Sequence, residues 1–103
     1  MNEPTPVNPE TERAIRRIVR TVLGGLTLAH AGTDNYDPIY LGRTLAIWYK
    51  DGHLPGTHRQ VARIAATEYI GDREDTQYLG SSREVFKDIL AGLEFRLKLL
   101  GVA

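Results

Sequence analysis

The chain has 103 residues, of which 42% are hydrophobic and 25% charged, and thirteen Lys and Arg balance thirteen Asp and Glu. This length predicts one domain, and the composition is typical of a folded chain rather than a disordered one. A formal net charge of zero gives no overall field toward DNA or an anionic membrane, so electrostatic binding has to be local. The absence of cysteine excludes disulfides, thiolate zinc sites and cysteine nucleophiles.

The composition of the N-terminal segment leads us to expect no export signal. Its first ten residues, MNEPTPVNPE, are acidic and proline-rich, whereas a signal peptide opens with basic and then apolar residues. The longest apolar stretch without arginine, TVLGGLTLAHAG, is shorter than the roughly 20 residues that a membrane-spanning helix needs. We therefore expect a cytoplasmic protein that does not enter membranes, with residues 1–8 as a flexible arm and residues 9–103 as a single helical domain.

The first helix is predicted over residues 9–31. Asn8 supplies an N-cap, and Pro9 is pre-set for the first helical position. An apolar stripe follows at spacings of three and four residues: Ile15, Val19, Val22, Leu26 and Ala29. Gly24 and Gly25 interrupt the pattern at a cost of about 1 kcal/mol each in helix propensity. We expect either a bend at these glycines or another backbone packed very close to them.

The second and third helices are predicted over residues 38–51 and 58–70. An aspartate followed by a proline repeats the cap device before the second helix, and the capping box THRQ opens the third. Both segments carry apolar residues at helical spacing, which predicts one inward face on each. These faces comprise Leu41, Leu45, Trp48, Val61, Ile64, Ala65 and Tyr69.

A polar segment bounded by glycines, GDREDTQYLG, predicts a loop over residues 71–80, and a fourth helix is predicted over residues 82–100. No segment shows the period-two alternation of a strand. The predicted fold class is therefore all-α, a four-helix orthogonal or bundle-like domain.

The fourth helix carries apolar residues on two sides. A seam at heptad spacing, with two flanking positions, predicts its core face: Val85, Phe86, Ile89, Leu90, Leu93, Leu97 and Leu100. Phe95 and Leu99 fall on a separate stripe, and Gly92 continues that direction. A helix that is apolar on two sides is enclosed by its own domain or covered by a second subunit, and we favour a homodimer. The alternative is that Phe95 packs under the long loop, against Tyr78 and Leu79.

Two tyrosines near the start of the second helix, Tyr36 and Tyr40, are further candidates for a protein interface. Aromatic side chains of this kind are over-represented at binding hot spots. Trp48, in the same region, is assigned to the core. The sequence therefore predicts a protein interface made by Phe95, Leu99 and Gly92 together with these two tyrosines.

The first helix also carries an R-x-x-R-R-x-x-R pattern that is a candidate nucleic-acid contact. Its members are Arg13, Arg16, Arg17 and Arg20. Arginines at this spacing can meet successive phosphates or an acidic partner surface. The alternative is a solvated face, partly neutralised by Glu12 four residues before Arg16. Because the chain has no net positive charge, we favour the solvated face.

The segment DGHLPGTHRQVARIA, followed after a gap by SSREVFKDILAGLEFRLKLLGV, resembles the winged helix-turn-helix transcription regulators. In that family a polar cap and a QVA-type helix precede an SR-x-V recognition helix. The resemblance covers about half of the chain and implies that residues 57–70 form the supporting helix. It also implies that Ser82, Arg83 and Lys87 face the major groove. The sequence departs from the family in the long connection between these helices, and the family's wing would follow only after Ala103.

No residue set predicts catalysis, a cofactor or a metal. His53 and His58 are spaced like neither a zinc-enzyme helix pair nor a zinc finger, and the acidic loop residues lack the pattern of a calcium loop. Phosphate loops, nucleophile elbows and paired carboxylates on an apolar face are also absent. We expect a non-enzymatic regulatory or adaptor protein that binds a protein partner through helix faces and self-associates. A DNA-binding regulator is the alternative, and an enzyme or ligand carrier with a pocket at Trp48 and Tyr69 is a third reading.

Overall fold

The computed structural model describes residues 8–29, 37–72 and 82–101, which form four α-helices and no strand. The helices are α1 Pro9–Ala29, α2 Pro38–Lys50, α3 His58–Asp72 and α4 Ser82–Leu99. The predicted all-α, four-helix class is confirmed, and each helix end lies within two residues of its predicted position. Residues 1–7 of the predicted arm, Tyr36 and residues 73–80 of the predicted loop lie outside the described residues.

Helices α1, α2 and α3 begin at the capping residues that the sequence indicated. The Asn8 side chain accepts a hydrogen bond from the Glu10 backbone N–H at 2.8 Å, and Asp37 caps α2 in the same manner through Tyr40. Before α3, the Thr57 hydroxyl oxygen accepts from the backbone N–H of Gln60, whose side-chain oxygen accepts in return from the N–H of Thr57. Each cap satisfies a backbone donor that has no partner within its helix.

The core is built by apolar side chains from all four helices and from the turn before α3. Among the described residues, its most deeply buried large members are Ile15, Val19, Leu41, Leu45, Val61, Tyr69, Val85, Ile89, Leu93 and Leu97. The predicted inward faces of α1, α2 and α3 are confirmed except at two positions: Trp48, which was assigned to the core, is only partly buried against it, and the side chain of Ala29 lies outside the described part of the chain. On α4 the core face is centred on Ile89 and Leu93, while Phe86 and Leu90 are only partly buried at its edge. The seam therefore lies closer to Val85 and Ile89 than the heptad spacing predicted.

Helices α2 and α4 pack backbone against backbone at two glycines. A Cβ atom added to Gly42 would lie 2.1 Å from the carbonyl oxygen of Ile89, and one added to Gly92 would lie 2.2 Å from the carbonyl oxygen of Ile39. Carbon and oxygen atoms cannot approach to such distances, so only glycine fits at either position. The contact is reciprocal, because each glycine lies over a backbone carbonyl of the opposite helix.

Gly24 and Gly25, which interrupt the apolar pattern of the first helix, make no such close contact. Gly24 and Gly25 are exposed, and a Cβ atom at either position would meet nothing within 4 Å. Of the two predicted alternatives, a backbone packed close to these glycines is therefore wrong for the described part of the chain, and a bend of α1 stays a prediction. The close approach occurs at Gly42 and Gly92, which lie in the middle of helical patterns and gave no sign of it in the sequence.

Candidate interaction surfaces

Large apolar side chains are exposed mainly on α2 and α4. Among the described residues, six such side chains are exposed, and five of them belong to these two helices. We call these five the apolar face: Ile39 (41% exposed), Tyr40 (42%), Ile47 (44%), Phe95 (56%) and Leu99 (65%). The sixth, Ile70, is 38% exposed and lies on α3. An accumulation of this kind is typical of a surface that meets another molecule.

The glycine crossing brings the two halves of the apolar face together. The carbonyl oxygen of Ile39 lies against Gly92, and Phe95 and Leu99 follow Gly92 on the same side of α4. The C-terminal parts of α2 and α4 also lie at the same end of the molecule, because both contact His58. Its ring packs edge-on against Tyr49 of α2 at 5.0 Å, and its Nδ1 lies 3.2 Å from a carboxylate oxygen of Glu94.

The predicted protein-interface residues have different outcomes. Phe95 and Leu99 are exposed, and Tyr40 is partly exposed on the neighbouring helix. The prediction that Gly92 belongs to the protein interface is wrong, because Gly92 is buried under α2 of its own chain. Tyr36 lies outside the described residues, as do the loop residues that were the alternative cover for Phe95.

Sequence reasoning did not include Ile39 and Ile47 among the predicted interface residues. A signal for them exists, because they lie eight positions apart and away from the face that carries Leu41 and Leu45. Their exposure could have been suspected from that second stripe. Their proximity to the exposed part of α4 could not, because it depends on the crossing of two helices that are distant in the sequence.

Two of the four arginines on α1 bind a carboxylate on α3. The Nε of Arg16 donates to one oxygen of Glu68 at 3.0 Å, and the Nε of Arg20 donates to the other at 2.9 Å. Arg16 also donates to Glu12 one turn earlier, and this hydrogen bond raises the pKa of its guanidinium. Glu68 is only 16% exposed, so its two ion pairs hold α1 against α3.

The arginine pattern of α1 therefore divides into two pairs. Arg16 and Arg20 serve the fold, in agreement with the favoured interpretation of a partly neutralised face, although the main neutralising residue is Glu68 rather than Glu12. Arg13 and Arg17 are exposed and make no ion pair with the described part of the chain. These two are free of such pairs, and they line a shallow concavity together with Arg16 and Arg20, whose side chain is still 66% exposed.

A second cluster of arginines lines a groove between α3 and the start of α4, which we call the arginine groove. Its volume is about 350 Å³, and its walls are Arg59, Arg63, Ala66, Thr67, Ile70, Ser82, Arg83 and Phe86. The guanidinium carbon of Arg59 lies 5.2 Å from the centre of the Phe86 ring, a cation–π contact. Arg59, Arg63 and Arg83 are exposed, and none makes an ion pair with a carboxylate among the described residues.

The residues that the transcription-regulator resemblance indicated lie in the first turns of α4. Ser82 and Arg83 line the arginine groove, and Lys87 is exposed one turn after Arg83. Arg59 and Arg63 of α3 join Ser82 and Arg83 in the groove. Sequence reasoning did not single out these two arginines, because a spacing of four on one helix is common and their convergence with α4 is a tertiary contact.

Within residues 8–29, 37–72 and 82–101, no three metal-ligating side chains come together, and no helix is long and apolar enough to cross a membrane. Comparison of the chain with protein-family models, curated proteins and solved structures finds no match. The apolar face and the exposed arginines are therefore the features of the molecule that point to a function.

Proposed function

We propose that this chain is a non-enzymatic interaction protein that forms a homodimer through the apolar face. The observation that supports the proposal is the exposure of Phe95 and Leu99 beside the exposed isoleucines of α2. Burial of apolar surface contributes about 25 cal/mol per Å², so five large side chains on one face provide a strong drive to associate. A partner that covers them removes a surface that is unfavourable in water.

The charges around the apolar face favour a second copy of the chain as the partner. The only charged residues on α2 are basic, Arg43 and Lys50, and both are exposed. On α4, Asp88 precedes Phe95 by two turns on the same side of the helix. In a two-fold dimer the same patch meets itself, so α2 of one subunit can lie on α4 of the other. That arrangement can bring Asp88 of one subunit to Arg43 or Lys50 of the other beside the apolar face.

The dimer is tested by sedimentation equilibrium over a wide range of protein concentrations. We expect the wild-type chain to approach twice its monomer mass of 11.5 kDa, and the double variant Phe95→Glu/Leu99→Glu to remain a monomer with unchanged helix content. Two carboxylates in the centre of the interface would lose water without gaining a partner.

Ile70→Glu is the matched control, because Ile70 is also an exposed apolar residue but lies on α3, outside the apolar face. It should leave the dimer intact. A wild-type chain that stays monomeric at the highest concentration would contradict the proposal, and so would equal dissociation of the control.

A second candidate function is DNA binding, supported by the exposure of Arg83 and Lys87 one turn apart at the start of α4. It is tested by fluorescence anisotropy with a random-sequence duplex between about 50 and 200 mM salt, where each neutralised phosphate steepens the log-log slope by about 0.9. Arg83→Gln/Lys87→Gln should flatten the slope, whereas Arg13→Gln/Arg17→Gln should flatten it only if α1 also contacts phosphates. No binding at the lowest salt would remove this candidate.

A further inference from the structure

We infer that the arginine groove is a second binding surface, separate from the apolar face, and that it takes an acidic peptide segment carrying at least one apolar side chain. The inference depends on the charge, the length and the apolar residues of the groove. It does not depend on the dimer, because the groove lies between α3 and the start of α4, whereas the apolar face lies on α2 and α4.

The positive charge of the arginine groove favours a ligand that carries carboxylate groups. Three guanidinium groups come from two helices, and no described carboxylate neutralises any of them. The arginines that stabilise the fold differ in this respect, because Arg16 and Arg20 each donate to one oxygen of Glu68. Guanidinium groups bind carboxylates with paired hydrogen bonds, and like charges held near one another are relieved by such a ligand.

The length of the groove fits a short stretch of polypeptide. Arg59 and Ile70 stand near its two ends on α3, and the helix rise of 1.5 Å per residue separates them by roughly 16 Å. At about 3.3 Å per residue, an extended peptide spans this distance with about five residues. A single phosphate or carboxylate would contact only part of the groove. The groove is also concave between two helices, whereas readout of a DNA major groove requires an element that protrudes.

Three of the residues that line the groove, Ala66, Ile70 and Phe86, are apolar, and they favour a peptide over a nucleic-acid backbone. Ala66 is buried, Phe86 is half-buried and Ile70 is exposed, so an apolar side chain of the ligand can pack between the arginines. The cation–π contact holds the Arg59 guanidinium over the Phe86 ring. A sugar-phosphate strand has no aliphatic side chain to place there. Guanidinium groups beside apolar atoms match an acidic segment interrupted by leucine or a similar residue.

The experiment uses the fluorescein-labelled peptide EELEELEE and the full-length chain, with binding followed by fluorescence anisotropy at low salt. We expect Arg63→Gln/Arg83→Gln to weaken binding at least tenfold, because two charge-assisted contacts are lost. Arg13→Gln/Arg17→Gln removes the same charge from exposed positions on α1 and should change the Kd less than twofold. Arg59 is left in place, because it also packs on Phe86.

Two further probes separate the ligand classes. The peptide QQLQQLQQ, which has the same apolar residues without the charge, should bind at least tenfold more weakly. A thymidine octanucleotide of similar charge should also bind more weakly than the acidic peptide. The inference is overturned by equal binding of the glutamine peptide, by tighter binding of the oligonucleotide, by an equal loss in the α1 control, or by no peptide binding at all.

The proposed peptide groove and the proposed dimer can be disproved independently of each other. Arg63→Gln/Arg83→Gln should sediment like the wild-type chain, and Phe95→Glu/Leu99→Glu should still bind the acidic peptide. Loss of peptide binding in the Phe95→Glu/Leu99→Glu monomer would show that the groove requires the dimer and would contradict a separate surface.

Discussion

The α1–α3 and α2–α4 helix pairs are held together by opposite kinds of contact. Between α1 and α3, long polar side chains reach across, and Glu68 binds Arg16 and Arg20 at the edge of the core. Between α2 and α4, side chains are absent at the point of contact, and Gly42 and Gly92 let the two backbones meet. The first contact can be loosened gradually, whereas the second has no room for even one added carbon atom.

The two kinds of helix contact leave different numbers of apolar side chains exposed at the surface. An ion pair at the edge of a helix contact shields the apolar residues below it, and over residues 9–26 of α1 no large apolar side chain is exposed. A contact made through glycines is narrow, so the bulky neighbours of Gly42 and Gly92 stay at its sides. The carbonyl of Ile39 touches α4 while its side chain remains 41% exposed. The apolar face is therefore a consequence of how α2 and α4 pack.

The largest effect on stability should come from adding a single carbon atom where α2 and α4 cross. Gly92→Ala or Gly42→Ala should lower the free energy of unfolding by about 3 kcal/mol, because the new Cβ atom would overlap a backbone carbonyl that cannot move without its helix. The measurement is the midpoint of urea unfolding with the slope compared between variants. An unchanged midpoint would mean that the two helices do not meet through these glycines.

The same substitution away from the crossing should act in the opposite direction. Gly24→Ala and Gly25→Ala should each raise the free energy of unfolding by about 1 kcal/mol, since both glycines lie in α1 with open space around them and alanine has the higher helix propensity. Thermal unfolding followed by circular dichroism measures the change. A destabilisation comparable to that of Gly92→Ala would show that α1 needs these glycines for a bend or a close contact.

The ion-paired contact should give the smallest effect. Glu68→Gln removes the partner of both Arg16 and Arg20 and should lower the free energy of unfolding by about 1 kcal/mol, less at high salt because partly exposed ion pairs are screened. Glu12→Gln is the control, because it removes only a pair within α1 and should cost less. Equal effects of the two substitutions, or an effect that does not change with salt, would argue against an electrostatic link between α1 and α3.

Features that depend on contacts between residues close in the sequence could be predicted, whereas features that depend on contacts between distant residues could not. The caps at Asn8, Asp37 and Thr57 act within four residues, so they could be predicted with the helix starts that they fix. The two apolar sides of α4 could also be predicted, because a helix presents residues three and four apart on one side. The placement of Gly92 could not, since the same stripe passes from a buried glycine to the exposed Phe95 within one turn.

The arginines show the same division. The pattern on α1 drew attention by its density, yet half of it is occupied by a carboxylate that lies 48 positions or more away in the sequence. The arginine groove is sparse in sequence, and only folding brings Arg59, Arg63 and Arg83 to one cleft. The number of arginines in one stretch of sequence therefore did not indicate where arginines without a described carboxylate partner lie close together on the surface.

The order of residues alone specifies four helices, with caps at Asn8, Asp37 and Thr57, and makes α4 apolar on two sides. Both properties come from contacts within about one helical turn, which the order of residues specifies directly. Only the tertiary structure decided which glycines meet a backbone, which arginines are neutralised and which apolar residues stay in water. Those outcomes depend on pairs of residues tens of positions apart, and they are set by how four helices share one small core.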